Sequence, residues 1–169
     1  DYGSALRKIL KFNEKTTGYI EERKSEMNLP VDYIAVHIRR GDKIVSREMK
    51  ELGLSLYIDA VKGKKHISRN VFIATDDSSV KDELKSILVA EGFNVYCNTA
   101  VTQTGFDESL FNTKDKKSRY IDTLNMLLDM DILIHSSFFI GTYTSNVSRI
   151  VPLYVGFGKS LSLDDEWKL

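Results

Sequence analysis

Short apolar runs that alternate with longer segments of helical spacing constrain this chain more than any other feature. Tyr33–Ile38, Asn70–Ala74, Phe93–Cys97 and Phe138–Gly141 have the length and the β-branched or aromatic content of strands. Between them, residues 54–65 read as a helix whose apolar side includes Leu56 and Val61. Residues 79–91 follow the N-cap chemistry of Thr75-Asp76-Asp77-Ser78-Ser79 and stop at Gly92. Lys117–Ile134 reads as a long helix, and Ser145–Val151 begins another. Strands that alternate with helices predict an α/β fold with a doubly wound, mostly parallel sheet. Residues 1–29 read as a helical lead-in with Leu6, Ile9, Leu10, Tyr19, Ile20 and Met27 at helical spacing. Gly18 is the point where this lead-in could divide, and Leu29-Pro30 stops it. Residues 30–169 then form the domain, with 99–114 as a polar loop.

Composition narrows the partners. The chain's 24 basic and 24 acidic residues cancel, so no overall field draws in nucleic acid, and none is expected as a partner. Its longest apolar runs are far too short to span a bilayer. Cys97 is the only cysteine, and the three histidines, His37, His66 and His135, stand at no metal-ligand spacing, so no metal is expected. No signal peptide opens the chain, and a start at Asp1 reads as that of an excised fragment. A phosphate-binding P-loop, a Gly-x-Gly-x-x-Gly turn and a Gly-x-Ser-x-Gly elbow are all missing from the sequence.

In a parallel sheet all strand C-termini share one edge, and ligands of open α/β sheets bind there. That edge gathers the loops 37–43, 75–79 and 142–146. Arg39 and Arg40 supply guanidinium forks suited to phosphate. Gly141-Thr142-Tyr143-Thr144-Ser145-Asn146 is rich in hydroxyls and leads into a helix, whose backbone N–H groups can cradle a phosphate. Asp76 and Asp77 suit a sugar, a base edge or the fixing of an arginine. Each loop also has a plainer reading: Asp42 neutralising Arg39, Asp76-Asp77 as a helix cap, and Thr144-Ser145-Asn146 as another cap. Convergence on one edge favours the phosphate site.

These residues carry a resemblance. His37-Ile38-Arg39-Arg40-Gly41-Asp42-Lys43 is similar to the His-x-Arg-Arg-x-Asp-Lys motif of the α1,6-fucosyltransferases that build core-fucosylated N-glycans, a motif shared loosely with nodulation and protein-O-fucosyltransferases. Phe72-Ile73-Ala74-Thr75-Asp76-Asp77 resembles the second motif of that family. Thr142-Tyr143-Thr144-Ser145-Asn146-Val147-Ser148-Arg149 resembles its third, Thr-Phe-Ser-Ser-Gln-Val-Cys-Arg. Ser162-Leu163-Asp164-Asp165 resembles the segment that leads into its SH3-like domain.

The resemblance implies the Rossmann-like donor half of a glycosyltransferase-B fold that binds GDP-fucose without metal or other cofactor and transfers fucose with inversion. By position, Arg39 would hold the β-phosphate, with Arg40, Asp42 and Lys43 shaping the site. Ser145 and Asn146 would bind phosphate, His37 and Asp129 would read guanine, and Asp76 and Asp77 would complete the donor site. The family's base is a Glu four residues after the motif Lys, where this chain has Arg47; Glu48 follows, and Tyr57, which would join the donor site, keeps the family's Glu-to-Tyr spacing. Glu48, Lys43 and Arg39 are therefore the expected catalytic residues. Gly41 stands in place of a Thr, and Asn146 in place of a Gln. Implied partners are GDP-fucose, a glycan acceptor and the N-terminal half of the enzyme, in the Golgi lumen, with any membrane anchor outside this chain. The alternatives are a non-catalytic nucleotide-sugar-binding pseudo-transferase, to which Arg47 points, and a phospho-ligand domain of flavodoxin-like type.

Overall fold

The computed structural model describes residues 5, 6, 8, 11–41, 51–100, 102 and 105–167. Their centre is a five-stranded sheet in the order β3-β2-β1-β4-β5, with every pairing parallel. The strands are β1 (Ile34–Ile38), β2 (Asn70–Thr75), β3 (Asn94–Cys97), β4 (Phe138–Gly141) and β5 (Ser160–Ser162). The helices are α1 (Glu14–Met27), α2 (Leu54–Gly63), α3 (Ser78–Ala90), α4 (Glu108–Thr113), α5 (Lys116–Ile134) and α6 (Asn146–Val155).

Because crossover helices cover both faces, the central strands are buried on both sides, and β1 is buried along its whole length. On one face Ile34, Val36, Ile38, Val71, Ile73 and Ile140 pack against Tyr57 and Val61 of α2 and Leu84 and Leu88 of α3. On the other, Ala35, Phe72 and Phe139 meet Leu128, Ile132 and Leu133 of α5, Val151 of α6 and Ile20 of α1. Each such side chain, fully buried, contributes about 1.5–3 kcal/mol, so the two layers rather than helix propensity hold these elements.

Aspartates start α3 and α5, at Asp77 as the sequence suggests and at Asp115 without such a reading. Asp77 caps α3 by accepting from Ser79 N and Val80 N, and Asp115 caps α5 by accepting from Lys117 N and Ser118 N. Gly92 adopts φ 81° where the chain leaves α3 for β3. Three features depart from expectation. Gly18 does not divide the first helix; α1 runs through it and starts at Asn13, whose side chain accepts from Thr16 N. This helix docks on the domain, with Tyr19 Oη donating to Asn125 and Lys24 paired with Asp131. The 99–114 segment holds α4, capped by Asp107. Ser160–Ser162 adds a fifth strand that carries no apolar run and exists only by pairing with Phe139–Gly141. No helix among the described residues is long and apolar enough to cross a membrane.

β1 is flanked by β2 and β4: the chain winds outward from β1 to β3, then crosses back to lay β4 on the other side of β1. The crevice beyond the β1 and β4 carboxyl ends is the topological switch point, where ligands of such sheets bind.

Candidate functional site

The two arginines part company at the end of β1. Neighbouring residues of an extended chain point to opposite sides. Arg40 turns to the α2 face, where its guanidinium donates to the Leu52 carbonyl at 2.8 Å and lies 3.6 Å from Glu51. Only 9% of its side chain is exposed. Arg40, expected to shape the donor site beside Arg39, ties the 51–53 segment to the strand end. Arg39 takes the other side, which it shares with His37, and its Nη1 lies 3.1 Å from Asp76 Oδ2.

Asp76 organises this corner. One oxygen accepts from Arg40 N at 2.7 Å, the other from Phe106 N at 2.9 Å, and its carbonyl accepts from Gly105 N at 3.0 Å. Of the readings open for the two acids, Asp76 fixes an arginine and Asp77 is a helix cap. Burial pushes the Asp77 carboxyl up, and hydrogen bonds from Ser79 and Val80 outweigh it, leaving the group below its ordinary range.

The β4–α6 loop is fastened from β5. The Asp164 carboxylate accepts from Tyr143 N at 2.7 Å, Thr144 N at 3.3 Å, Ser162 Oγ at 2.7 Å and the Thr144 hydroxyl. Burial raises its pKa, but these bonds prevail and hold it ionised. The loop amides of residues 143 and 144 are therefore spent inside the protein and do not cradle a ligand. What remains is the start of α6, where Ser145 occupies the N-cap without capping and Asn146 is exposed. Those first-turn N–H groups carry the positive end of the helix dipole and suit an anion.

His37 Nδ1 lies 2.7 Å from Ser148 Oγ, and both residues are buried. Burial, with Arg39 adding to it, pushes the imidazole pKa down to about 3, so the ring is neutral at physiological pH. The pair fits because residue 141 lacks a Cβ: one placed there would lie 2.6 Å from Phe139 Cζ and 2.7 Å from Ser148 Oγ. Gly141→Ala is expected to lower the unfolding free energy by about 1–3 kcal/mol, since the overpacked atoms lie in the core. Urea unfolding checks this, and an unchanged midpoint would count against the tight fit.

Asp129 sits on α5, over the same sheet face as His37. Burial pushes its pKa up to about 7, against the opposing effect of a hydrogen bond from Asn98, and its Oδ1 is buried without a hydrogen-bond partner among the described residues. Asn98, 2% exposed, also donates to Asn125. Tyr57 belongs to the core: it is 2% exposed among Ile34, Val36 and Ile38, and burial pushes its hydroxyl up to about 12. Expected at the donor site, it packs in the core layer between the sheet and α2. Asp42, Lys43 and Glu48 lie outside the described residues. No cluster of metal-ligating side chains occurs among the described residues.

Sequence reasoning missed Phe106, Ser148, Asn98 and the role of Asp164. Ser148 and Asp164 stand inside the quoted motifs, so their positions were visible but their partners were not. Nothing in the local sequence marked Phe106 or Asn98.

Fold and site together define the Rossmann-like half of a glycosyltransferase-B fold. The chain belongs to the alpha-(1,6)-fucosyltransferase family: residues 2–153 match that family's N- and catalytic domains. It is 23% identical over 161 residues to an alpha-(1,6)-fucosyltransferase of Caenorhabditis elegans, covering 88% of this chain and 26% of that protein. Among solved structures it is similar to NodZ α-1,6-fucosyltransferase, known from Bradyrhizobium, in a crystal soaked with GDP-fucose. The TM-score is 0.56 at 22% identity, over 86% of this chain and 43% of that one. It is also similar to POFUT1 in complex with GDP-fucose, with TM-score 0.61 at 15% identity, over 96% and 49%. The chain thus spans about a quarter of its curated relative and under half of either solved chain.

Proposed function

We propose that the full-length protein transfers fucose from GDP-fucose to an N-glycan, in the α1,6 linkage of core fucosylation, by a metal-independent inverting displacement in the Golgi lumen. One observation carries the reading: a family member holds Arg39 at the end of β1, next to β4, whose loop leads into the uncapped start of α6. Fucose transfer needs positive charge at that place. As an acceptor hydroxyl oxygen attacks the anomeric carbon, the bond from that carbon to the β-phosphate oxygen breaks, and GDP departs with the electron pair. A fixed guanidinium and a helix N-terminus stabilise the developing charge without the divalent ion that many nucleotide-sugar reactions use. The hydroxyl proton passes to a carboxylate base, the role given to Glu48, with Lys43 as a further catalytic residue. His37 and Asp129 read guanine: a neutral imidazole and a buried carboxylate match a base edge that both donates and accepts. The N-terminal half of the enzyme closes the donor cleft, and acceptor contacts come from outside this chain.

The test is transfer by the full-length protein, followed as GDP release with an N-glycan acceptor in EDTA. Turnover that persists in EDTA and is lost in Glu48→Gln is the expected result. A folded protein that binds no GDP by calorimetry would overturn the reading. Arg47, in the place of the family's base, favours a second reading, a pseudo-transferase, which predicts GDP binding without turnover.

A further inference from the structure

We propose that Phe106 is a positioning residue for Arg39: its ring is the face against which the guanidinium is held, and a Gly41–Gly105 backbone contact sets it there. The inference rests on the donor-site reading above and adds to that site a wall that none of the family motifs contains.

The Arg39 guanidinium carbon lies 4.9 Å from the centroid of the Phe106 ring, inside cation–π range. Asp76 meets the same guanidinium at one edge, 3.1 Å away. A guanidinium held over an aromatic ring while a carboxylate takes one of its nitrogens is restrained from two directions, which a carboxylate alone does not achieve. For a group whose task is bidentate contact with phosphate, that restraint is the property that matters.

The ring is itself anchored. Phe106 N donates to Asp76 Oδ2, Gly105 N donates to the Asp76 carbonyl, and the ring packs on Phe111 of α4 at 5.6 Å between centroids. Asp76 therefore holds both Arg39 and the strap that carries its aromatic partner.

That strap reaches the strand end only because two residues lack a Cβ. One added to Gly41 would lie 2.3 Å from the Phe106 carbonyl oxygen, and one added to Gly105 would lie 2.6 Å from Gly41 Cα. Both glycines also have positive φ, 73° and 85°. A Thr at position 41, the residue of the resembling motif, could not coexist with this approach. The Gly41 departure from the motif and the Phe106 contact are thus one structural change.

The experiment compares Phe106→Leu with Phe106→Tyr in the full-length protein. Leucine keeps apolar bulk and loses the ring; tyrosine keeps the ring. The leucine variant is expected to bind GDP about 3- to 10-fold more weakly than wild type, while the tyrosine variant matches it, at similar melting temperatures. Combined with Arg39→Lys, the leucine change should add much less than its own effect, because the two residues act together. In the ligand-free protein, NMR should show ring-current shifts on the Arg39 side-chain protons that persist in Phe106→Tyr and vanish in Phe106→Leu and Gly105→Ala. Equal GDP affinity in the leucine and tyrosine variants, additive double-mutant effects, or a wild type without the shifts would overturn the proposal. A wild type that shows the shifts yet binds no GDP would overturn the donor reading and leave the Arg39–Phe106 positioning standing.

Discussion

Arg39→Ala is expected to raise the dissociation constant for GDP at least about 30-fold, and by as much as about 4 × 10³-fold, because truncating one partner of a hydrogen-bonded charge pair with little access to water costs on the order of 2–5 kcal/mol. The physical case rests on what surrounds Arg39 in the folded protein. Its side chain is 21% exposed, paired with Asp76 and held over the Phe106 ring, so its charge is only partly screened by water. Removing it does not strand Asp76, whose two oxygens keep the N–H groups of Arg40 and Phe106. The variant should therefore fold, with a melting temperature close to wild type, and the loss should be one of binding. Arg39→Lys keeps the charge but not the planar fork and should fall between. Calorimetric titration of the full-length protein with GDP reads all three. Undiminished affinity in a folded alanine variant would remove Arg39 from the phosphate site.

The second large effect concerns Asp129 and pH. Its carboxyl is raised by burial from 3.8 to about 7 in the folded protein. Between those values the folded state holds more protons than the unfolded state, so this group lowers stability as pH rises from 3.8 to 7, and the full penalty is present above 7. His37 acts with the opposite sign. Its folded value, about 3, lies below the ordinary 6.5, so the unfolded state binds protons first as pH falls, and stability rises with pH across that window. Over roughly pH 5 to 8 the two contributions oppose one another, and the wild-type profile should be nearly flat from this pair. Asp129→Asn leaves His37 alone. Relative to wild type it should gain about 2–3 kcal/mol on going from about pH 5 to about pH 8, because each pH unit between the unfolded and folded pKa values is worth about 1.4 kcal/mol. Urea unfolding at the two pH values measures this difference, and a gap independent of pH would show that Asp129 is not protonated near neutrality. The same group ties GDP binding to pH if it reads guanine as proposed: affinity should rise through about pH 7 as the carboxylate forms, and the asparagine variant should lose that rise.

Some of this was legible in the residues. β1, β2 and β4 announce themselves because a strand buried on both faces must be a short, nearly unbroken apolar run, while the half-buried edge strand β3 shows in its β-branched and aromatic residues. α3 follows an aspartate that accepts backbone N–H groups, a local interaction readable at its own position. β5 has no such signature. Ser160-Leu161-Ser162 becomes a strand because Phe139–Gly141 presents an open edge to it. α4 is a short helix inside a polar stretch and depends on its Asp107 cap rather than on an apolar face.

The sequence by itself determined the parallel α/β architecture and the gathering of Arg39, Asp76 and Ser145 at one sheet edge, because strand direction and strand ends follow from hydrophobic run length and helix caps. Only the tertiary structure decided what each residue does there. Arg39 and Arg40 are adjacent and chemically identical, yet the pleat sends one toward the switch point and the other to the Leu52 carbonyl. Asp76 and Asp77 are likewise adjacent, and one holds an arginine while the other caps a helix. Phe106 and Asp164 reach the site from distant points in the chain, through contacts whose only requirement in sequence is a missing Cβ or a carboxylate at the right place. Side-chain direction and long-range pairing are set by packing, which no local stretch of residues encodes.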